Sequence, residues 1–587
     1  IDAEGNVAGI WDKSASRELL AAPVHLEIKT DFPRSWPAWN MDWRDQQRPP
    51  RSRLEGPAVL RVLESGPVRV AVEIERRAQG SRFVQVVRLA AGDAGNRLEF
   101  ANSVDWRSRE SNLKAAFTLN AGNPLATYNL GVGTLKRGNN DERRFEVGAQ
   151  QWFDLGDAGG GHGVTVLAGS KYASDKPDDH TLRLTLIRTP GTHGVFPDQA
   201  TQDFGRHEFT FGLAAHEGDW RRSRTDRQAY RLDQPLFSFQ APPHPGKLGK
   251  EFSFIRLSDP RVRLLALKKA EESQETILRL VESDGGSVPG LRVRFAARIE
   301  SAREVNGQEL ALGEARVVDG ELSTDFQPYQ VRTFALKFAP ASAAIPRPSG
   351  GEIRLKYDSR VAGRLGEKSG GGLDGKGGML PAELLPRSIV WRGVELALGS
   401  CADGQPNALR CRGQRLGLPP GEWRRIFFVA ASEGDQKAAF TVGDLAQVLE
   451  VQDWRGLIGQ WDQRLWRIAP DEGRGRGERT STGPGPARGR PVEFSGLLAG
   501  FIKPGAVAWF ASHYHRGGGA DLPYAYAYLF ANELKVPPGA KTLVLPDNEK
   551  IFILAMTAAD MDLSLRPLQP LLDDLRGVRP PAKKKKY

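Results

Sequence analysis

No apolar run in this chain approaches the ~18 residues that a membrane-crossing helix needs, so no membrane partner is expected. Cysteine is nearly missing. Cys401 and Cys411 are the only two, too few to form a four-ligand metal site by themselves. They could close the short loop CADGQPNALRC as a disulfide in an exported protein, or stay as two reduced thiols inside a β domain. The compartment stays open, with a periplasmic or extracellular one favoured. Helical periodicity is almost absent. A targeting segment is also missing: the chain starts at Ile1 and runs directly into IDAEGNVAGIWDKSASRELL, which reads as strand, turn, strand. A piece of something larger is the expectation.

A strong charge bias is lacking too. The formal charge is +11, but 82 basic residues face 71 acidic ones, mixed along the length, and four of the excess are the lysines of 583–586. No basic helix or known nucleic-acid module accompanies them, so nucleic acid is not an expected partner.

What is present is alternation with a period of two. VLRVLESGPVRVAVEIERR (59–77) gives two strands around a Ser-Gly-Pro turn, and RFVQVVRLAAGDAGNRLEFANSVDW gives two more around Gly-Asp-Ala-Gly. The 65 glycines and 39 prolines punctuate such runs, the pattern of stacked antiparallel sheets. The fold class expected is all-β: several antiparallel β-sandwich domains in tandem, a large supersandwich followed by smaller ones. Breaks in the rhythm place a large sandwich at 1–242, a small one at 243–340 and a glycine-rich one at 341–470. A flexible loop follows at 471–491, then final strands and a tail at 492–587. Only RPLQPLLDDLRGV near the end reads as a short helix.

Several strings, in order through residue ~340, resemble the C-terminal β region of glycoside hydrolase family 38, the α-mannosidases. They are GNVAGIWDKSASRELL, SVDWRSRESNLKAAFTL, YNLGVGTLKR with RFEVGAQQWFDL, GHGVTVLAGSKYASDKPDDHTLRLTLIRTP, DFGRHEFTFGLAAHEGDW and ALKKAEESQETILRLVE. The third block, with LDGKGGMLPAELLP and WFASHYHRGGGADLPYAYAYLF, looks like an extension found in bacterial relatives. The resemblance implies retaining hydrolysis of α-mannosides in the parent enzyme. There an Asp nucleophile and a second carboxyl act ~5 Å apart, beside a zinc with an open position. In the family these groups lie in an N-terminal catalytic domain. Its signatures, a His-x-Asp pair and a later His-His-Asp, do not occur here; none of the nine histidines stands two before an Asp. The expectation is no catalytic residue and no metal within these residues, with zinc belonging to the parent's catalytic domain. The expected partners are an α-mannoside or other glycan and an N-terminal catalytic domain or chain. The alternative is a free-standing carbohydrate-binding β-sandwich protein.

By the same resemblance, loops of the first β domain reach the active-site rim, where an arginine and a tyrosine touch the ligand. Arg188 in LIRTP is the candidate arginine, with Asp203 and His207 near it; the tyrosine has no match. In HEFTFGLAAH the phenylalanines alternate with polar residues, so His207 reads as standing at a strand's start and His216 just past its end. His513 and His515 in SHYHR are two apart and on a strand would face one side. With a third ligand such as Asp521 they could share a metal, although unliganded strand-end histidines are commoner. The reading preferred is a polar loop near a glycan, with Tyr514, Tyr524 and Tyr526 as stacking surfaces. Trp36, Trp39 and Trp43 in RSWPAWNMDWR would suit a pyranose face, but large aromatics are mostly buried, so a place between packed sheets is expected for them. GGGLDGKGG follows no strand-to-helix pattern, which speaks against a phosphate loop.

Overall fold

The computed structural model describes every residue except 55, 194–195, 197–198, 242, 244–247, 341–347, 368–370, 403, 469–479, 483–490, 518–519, 562–564 and 569–587. The surface loop expected at 471–491 therefore lies outside the described residues, apart from the strand Thr480–Thr482 and the first residue of Pro491–Leu498. Of the short helix expected near the end, Arg566–Pro567 is strand; residues 569–578 lie outside the description, as do the four lysines of 583–586. Among the described residues no helix is long and apolar enough to cross a membrane.

The chain is all-β, built of tandem antiparallel sandwiches, and divides into two compact units. The first holds Ile1–Leu236, Pro245–Ser342 and Asp462–Leu498. Its larger sandwich faces a nine-stranded sheet against a five-stranded one. The long strand Gly205–Glu217 lies between His162–Leu167 and Leu98–Trp106 in the first. In the second, Thr181–Thr189 pairs with Ser111–Thr118, which pairs with His25–Thr30. The period-two pattern works as expected here. Phe209, Phe211 and Leu213 point inward from one sheet, and Phe117, Leu182 and Leu184 from the other. Phe211 stacks on Phe100 at 4.9 Å and meets Phe117 edge-on at 5.9 Å, the offset and T-shaped geometries that ring quadrupoles favour.

A smaller sandwich follows, four strands against five, around Val262, Leu280, Val293, Phe326 and Phe334. It is joined to the larger one by short helices, Trp220–Ser223 and Thr225–Asp233. Asp219 caps the first of these by accepting from the backbone N–H of Arg221 and Arg222, which satisfies donors that a helix start leaves open. Arg224 then reaches Asp284 at 2.7 Å.

The second unit comprises Phe237–His244, Ala343–Trp461 and Ala499–Tyr587. Its central strand Arg425–Ser432 reads RIFFVAAS and is buried on both faces. Phe427, Val429 and Ala431 enter one apolar cluster, while Ile426, Phe428 and Ala430 enter another. Ile551–Ala559 beside it does the same. Strands buried on both faces lose the polar half of the alternation and become continuous apolar runs. Cys401 and Cys411 are free thiols, one in each cluster. Burial pushes the Cys411 thiol up to about 12, so it is an inert core group.

Candidate functional site

In the first unit, the outer face of the five-stranded sheet is polar yet buried. Along Ser111–Thr118 the inward residues are apolar, while Asn112 and Lys114 face the other way. Lys29 and Glu27 stand beside them on one neighbouring strand, and Arg183, Thr185 and Arg188 on the other. Lys114 has no exposed side-chain surface. Its ammonium donates to Asp175 at 2.8 Å, Glu146 at 2.5 Å and Thr185 at 2.9 Å. Arg183 also grips Asp175. Burial would raise the Asp175 carboxyl, but the two cations outweigh it and hold it at about 2. Lys29 forms no ion pair among the described residues and donates instead to the Arg48 carbonyl at 2.6 Å. Burial, aided by Arg183, lowers its ammonium to about 8.

Arg188 continues this face. Its guanidinium holds the buried carboxylate of Asp31 with contacts of 2.5 and 3.1 Å, and donates to the carbonyls of Ala38, at 3.2 Å, and Asn40. This fork fixes the segment that carries the tryptophans. Asp45, also buried, secures the same segment by accepting from the Phe32 N–H at 2.7 Å and pairing with Arg48 at 3.2 Å. The outcome corrects the reading of these tryptophans as filler between sheets. Trp36 is 65% and Trp39 90% exposed, whereas Trp43 packs on Phe145 at 5.5 Å. Pro33 and Pro37 keep the segment out of any sheet; Trp36 takes a left-handed φ of 51° and lies 6.1 Å from the Phe196 ring.

Asp203 lies within electrostatic reach of Arg188. Burial raises the Asp203 carboxyl, while His207, Lys171, Arg464 and Arg188 pull it the other way. His207 bonds through Nε2 to the Asp203 backbone carbonyl at 2.6 Å, not to its carboxylate. His207 is the third residue of its strand. His216, expected just past the strand's end, is inside it and buried. Its Nε2 meets Asp154 at 2.8 Å, and Asp154 also accepts from Thr165 at 2.7 Å. That is a core histidine paired through one ring nitrogen; its buried Nδ1 has no hydrogen-bond partner among the described residues. Lys171, which covers the Phe209 ring at 4.3 Å, and Asp31 were not singled out by sequence; a lone acid or lysine in a strand-rich chain carries no local pattern.

The other expected site residues belong to the second unit. His513 and His515 end the strand Ala506–His515, and Asp521 begins Asp521–Lys535 directly opposite His515. The histidine rings are 5.7 Å apart. His515 is buried, with Nδ1 at 2.5 Å from Asp521 and Nε2 at 3.1 Å from Glu383. Tyr524 is 86% exposed with a φ of 57°. Tyr514 instead packs edge-on against the buried Trp454 at 4.8 Å, and Tyr526 stacks near Tyr528 at 6.4 Å. In the glycine-rich stretch, Asp374 accepts from the N–H of Lys376 and Gly378 at 2.9 Å each and pairs with Arg455 at 2.9 Å. It is a turn tied by its own aspartate.

Residues 1–199 match the model of the glycosyl hydrolases family 38 C-terminal domain, and 261–334 that of the family 38 C-terminal beta sandwich domain. The chain carries a C-terminal region of glycoside hydrolase family 38. Among curated relatives, alpha-mannosidase 2C1 of Mus musculus is 32% identical over 351 residues, covering 57% of this chain and 32% of that protein. Alpha-mannosidase G of Dictyostelium discoideum is 25% identical over 359 residues, covering 57% and 31%. The chain thus spans about a third of the length of the curated relatives it matches. An alpha-mannosidase structure from Enterococcus faecalis aligns at 18% identity with a TM-score of 0.47, over 57% of this chain and 41% of that one. Residues 349–562, beyond the family 38 region, match the AziU2-like beta-sandwich domain.

Proposed function

We propose that the family 38 region is the supporting β portion of an enzyme that cleaves α-mannosides. In this reading it forms one wall of the substrate cleft and packs against a catalytic domain supplying the nucleophile, the acid/base carboxyl and zinc. The observation that carries the wall assignment is the pair of exposed indoles, Trp36 and Trp39, on a segment anchored through Arg188 and Asp31. Water-exposed indoles held by an internal ion pair are poor choices for stability, because their apolar area stays wet. They suit a ligand with a flat apolar face and polar edges, such as a pyranose.

In this arrangement Arg188 is a positioning residue. Its donors are engaged with Asp31 and two carbonyls, so it sets the height and tilt of the indoles rather than binding sugar itself. Asp203 and His207 would contribute polar contacts at the margin. The test is calorimetric titration of the full chain with an α-mannose disaccharide. Losing one ring's stacking removes about 1 kcal/mol, so Trp36→Ala with Trp39→Ala should weaken binding by roughly tenfold or more. Equal affinity in the double variant would remove the basis of the wall assignment.

A second reading, a free-standing carbohydrate-binding protein, draws on the second unit. Tyr524 is held outward in a left-handed backbone conformation, an unusual state for a bulky residue. Glycan-array binding that Tyr524→Ala abolishes and the tryptophan variants leave intact would favour this reading over the first.

A further inference from the structure

The His513–His515–Asp521 cluster belongs to the second unit, outside the residues that match family 38, and is independent of the mannoside reading. One ligand atom from each of the three residues lies within 4.8 Å of the others. Tetrahedral zinc with N and O ligands at ~2.0–2.1 Å places neighbouring ligand atoms about 3.3 Å apart, so small side-chain rotations close the set.

The local structure favours such closure. His513 and His515 share a strand face because they are two residues apart, and Asp521 is the cross-strand partner of His515. The backbone beneath is fixed on its other side as well: the N–H and C=O of His515 both bond to Met379, at 3.0 and 2.9 Å. The hairpin can therefore hold the three side chains without the backbone having to order itself around an ion. His515 also has what metal-bound histidines have. Its Nε2 faces the carboxylate of Glu383 at 3.1 Å, which would fix the tautomer and leave Nδ1 for the ion. Glu383 is itself held by the Leu365 N–H at 2.7 Å. His513 is half-buried, and its imidazole has no hydrogen-bond partner among the described residues.

We infer that His513, His515 and Asp521 form a site for a divalent transition-metal ion of zinc type, with Glu383 orienting His515 from outside the coordination sphere. When the ion enters, the proton shared between His515 Nδ1 and Asp521 leaves to solvent, and both atoms become ligands. Three protein ligands leave at least one coordination position for water or for an oxygen of a bound molecule. This departs from the expectation that no metal is held within these residues.

The test uses the full 587-residue chain, stripped with chelator, dialysed against zinc and measured for bound metal. A parallel cobalt(II) titration reports coordination through its visible d–d absorption. The expected result is one ion per chain, with affinity lost at least tenfold in both His513→Ala and Asp521→Asn. These sites are half-buried and exposed, so circular dichroism should show both variants folded. Glu383→Gln should weaken binding by about 10–100-fold. Binding of zinc that His513→Ala leaves unchanged would overturn the assignment, as would no stoichiometric zinc in the unsubstituted chain.

Discussion

At the residue scale, Asp175 is the buried anion on which two cations of the first unit converge. It sits between two buried cations, Lys114 and Arg183. Replacing it by Asn leaves both with too little negative charge, and breaking a buried pair in this way costs roughly 3–5 kcal/mol. Urea unfolding of the first unit should show that loss for Asp175→Asn. The pH dependence has a definite sign. The folded carboxyl is held at about 2, below the ~3.9 of an unfolded aspartate. Its contribution is thus complete above pH ~4 and disappears as pH falls toward ~2. The stability gap between the parent and Asp175→Asn, followed from pH 7 downward, should narrow over that window; a constant gap would show that the carboxylate's charge is not what stabilises. Lys29 works in the opposite direction. Its folded ammonium is lowered to about 8, so burial penalises the charged form at neutral pH and the penalty lifts between pH ~8 and ~10.4. The stability difference between Lys29→Met and its parent should therefore move in the parent's favour as the pH rises from 7 to 10, and a difference that stays constant over that range would contradict it.

At the element scale, the tryptophan segment and the strands were not equally readable. The pair 59–65 and 69–78, and the pair 81–90 and 98–106, follow from alternation and turn residues, and both formed. Alternation says less about Arg425–Ser432, because its two faces enter two cores. The burial tendency of tryptophan misplaced Trp36 and Trp39, because an average cannot tell which ones a pair of prolines will hold outside. The anchor was invisible too: Arg188 and Asp31 are 157 residues apart. Their pairing is tested by hydrogen exchange. Arg188→Ala should speed exchange across residues 36–43 and weaken mannoside binding, while leaving the strand Gly205–Glu217 as protected as before. Unchanged exchange at 36–43 would mean that the segment is held by Asp45 alone.

At the scale of the whole molecule, the class and the family region were legible, since they are written in many strands and in motifs ordered along the first ~340 residues. The grouping of Asp462–Leu498 with the first unit was not, because no local pattern reports which distant sheet a strand will join. In the proposed division of labour, this polypeptide would support and line a sugar-cleaving centre, with the reacting groups supplied by another domain. The most direct measurement is release of the phenol from an aryl α-mannoside by the purified chain with zinc present. The expected result is no release above the buffer rate. Release that follows the protein through purification, and that disappears on replacing a single carboxylate of this chain, would contradict the account.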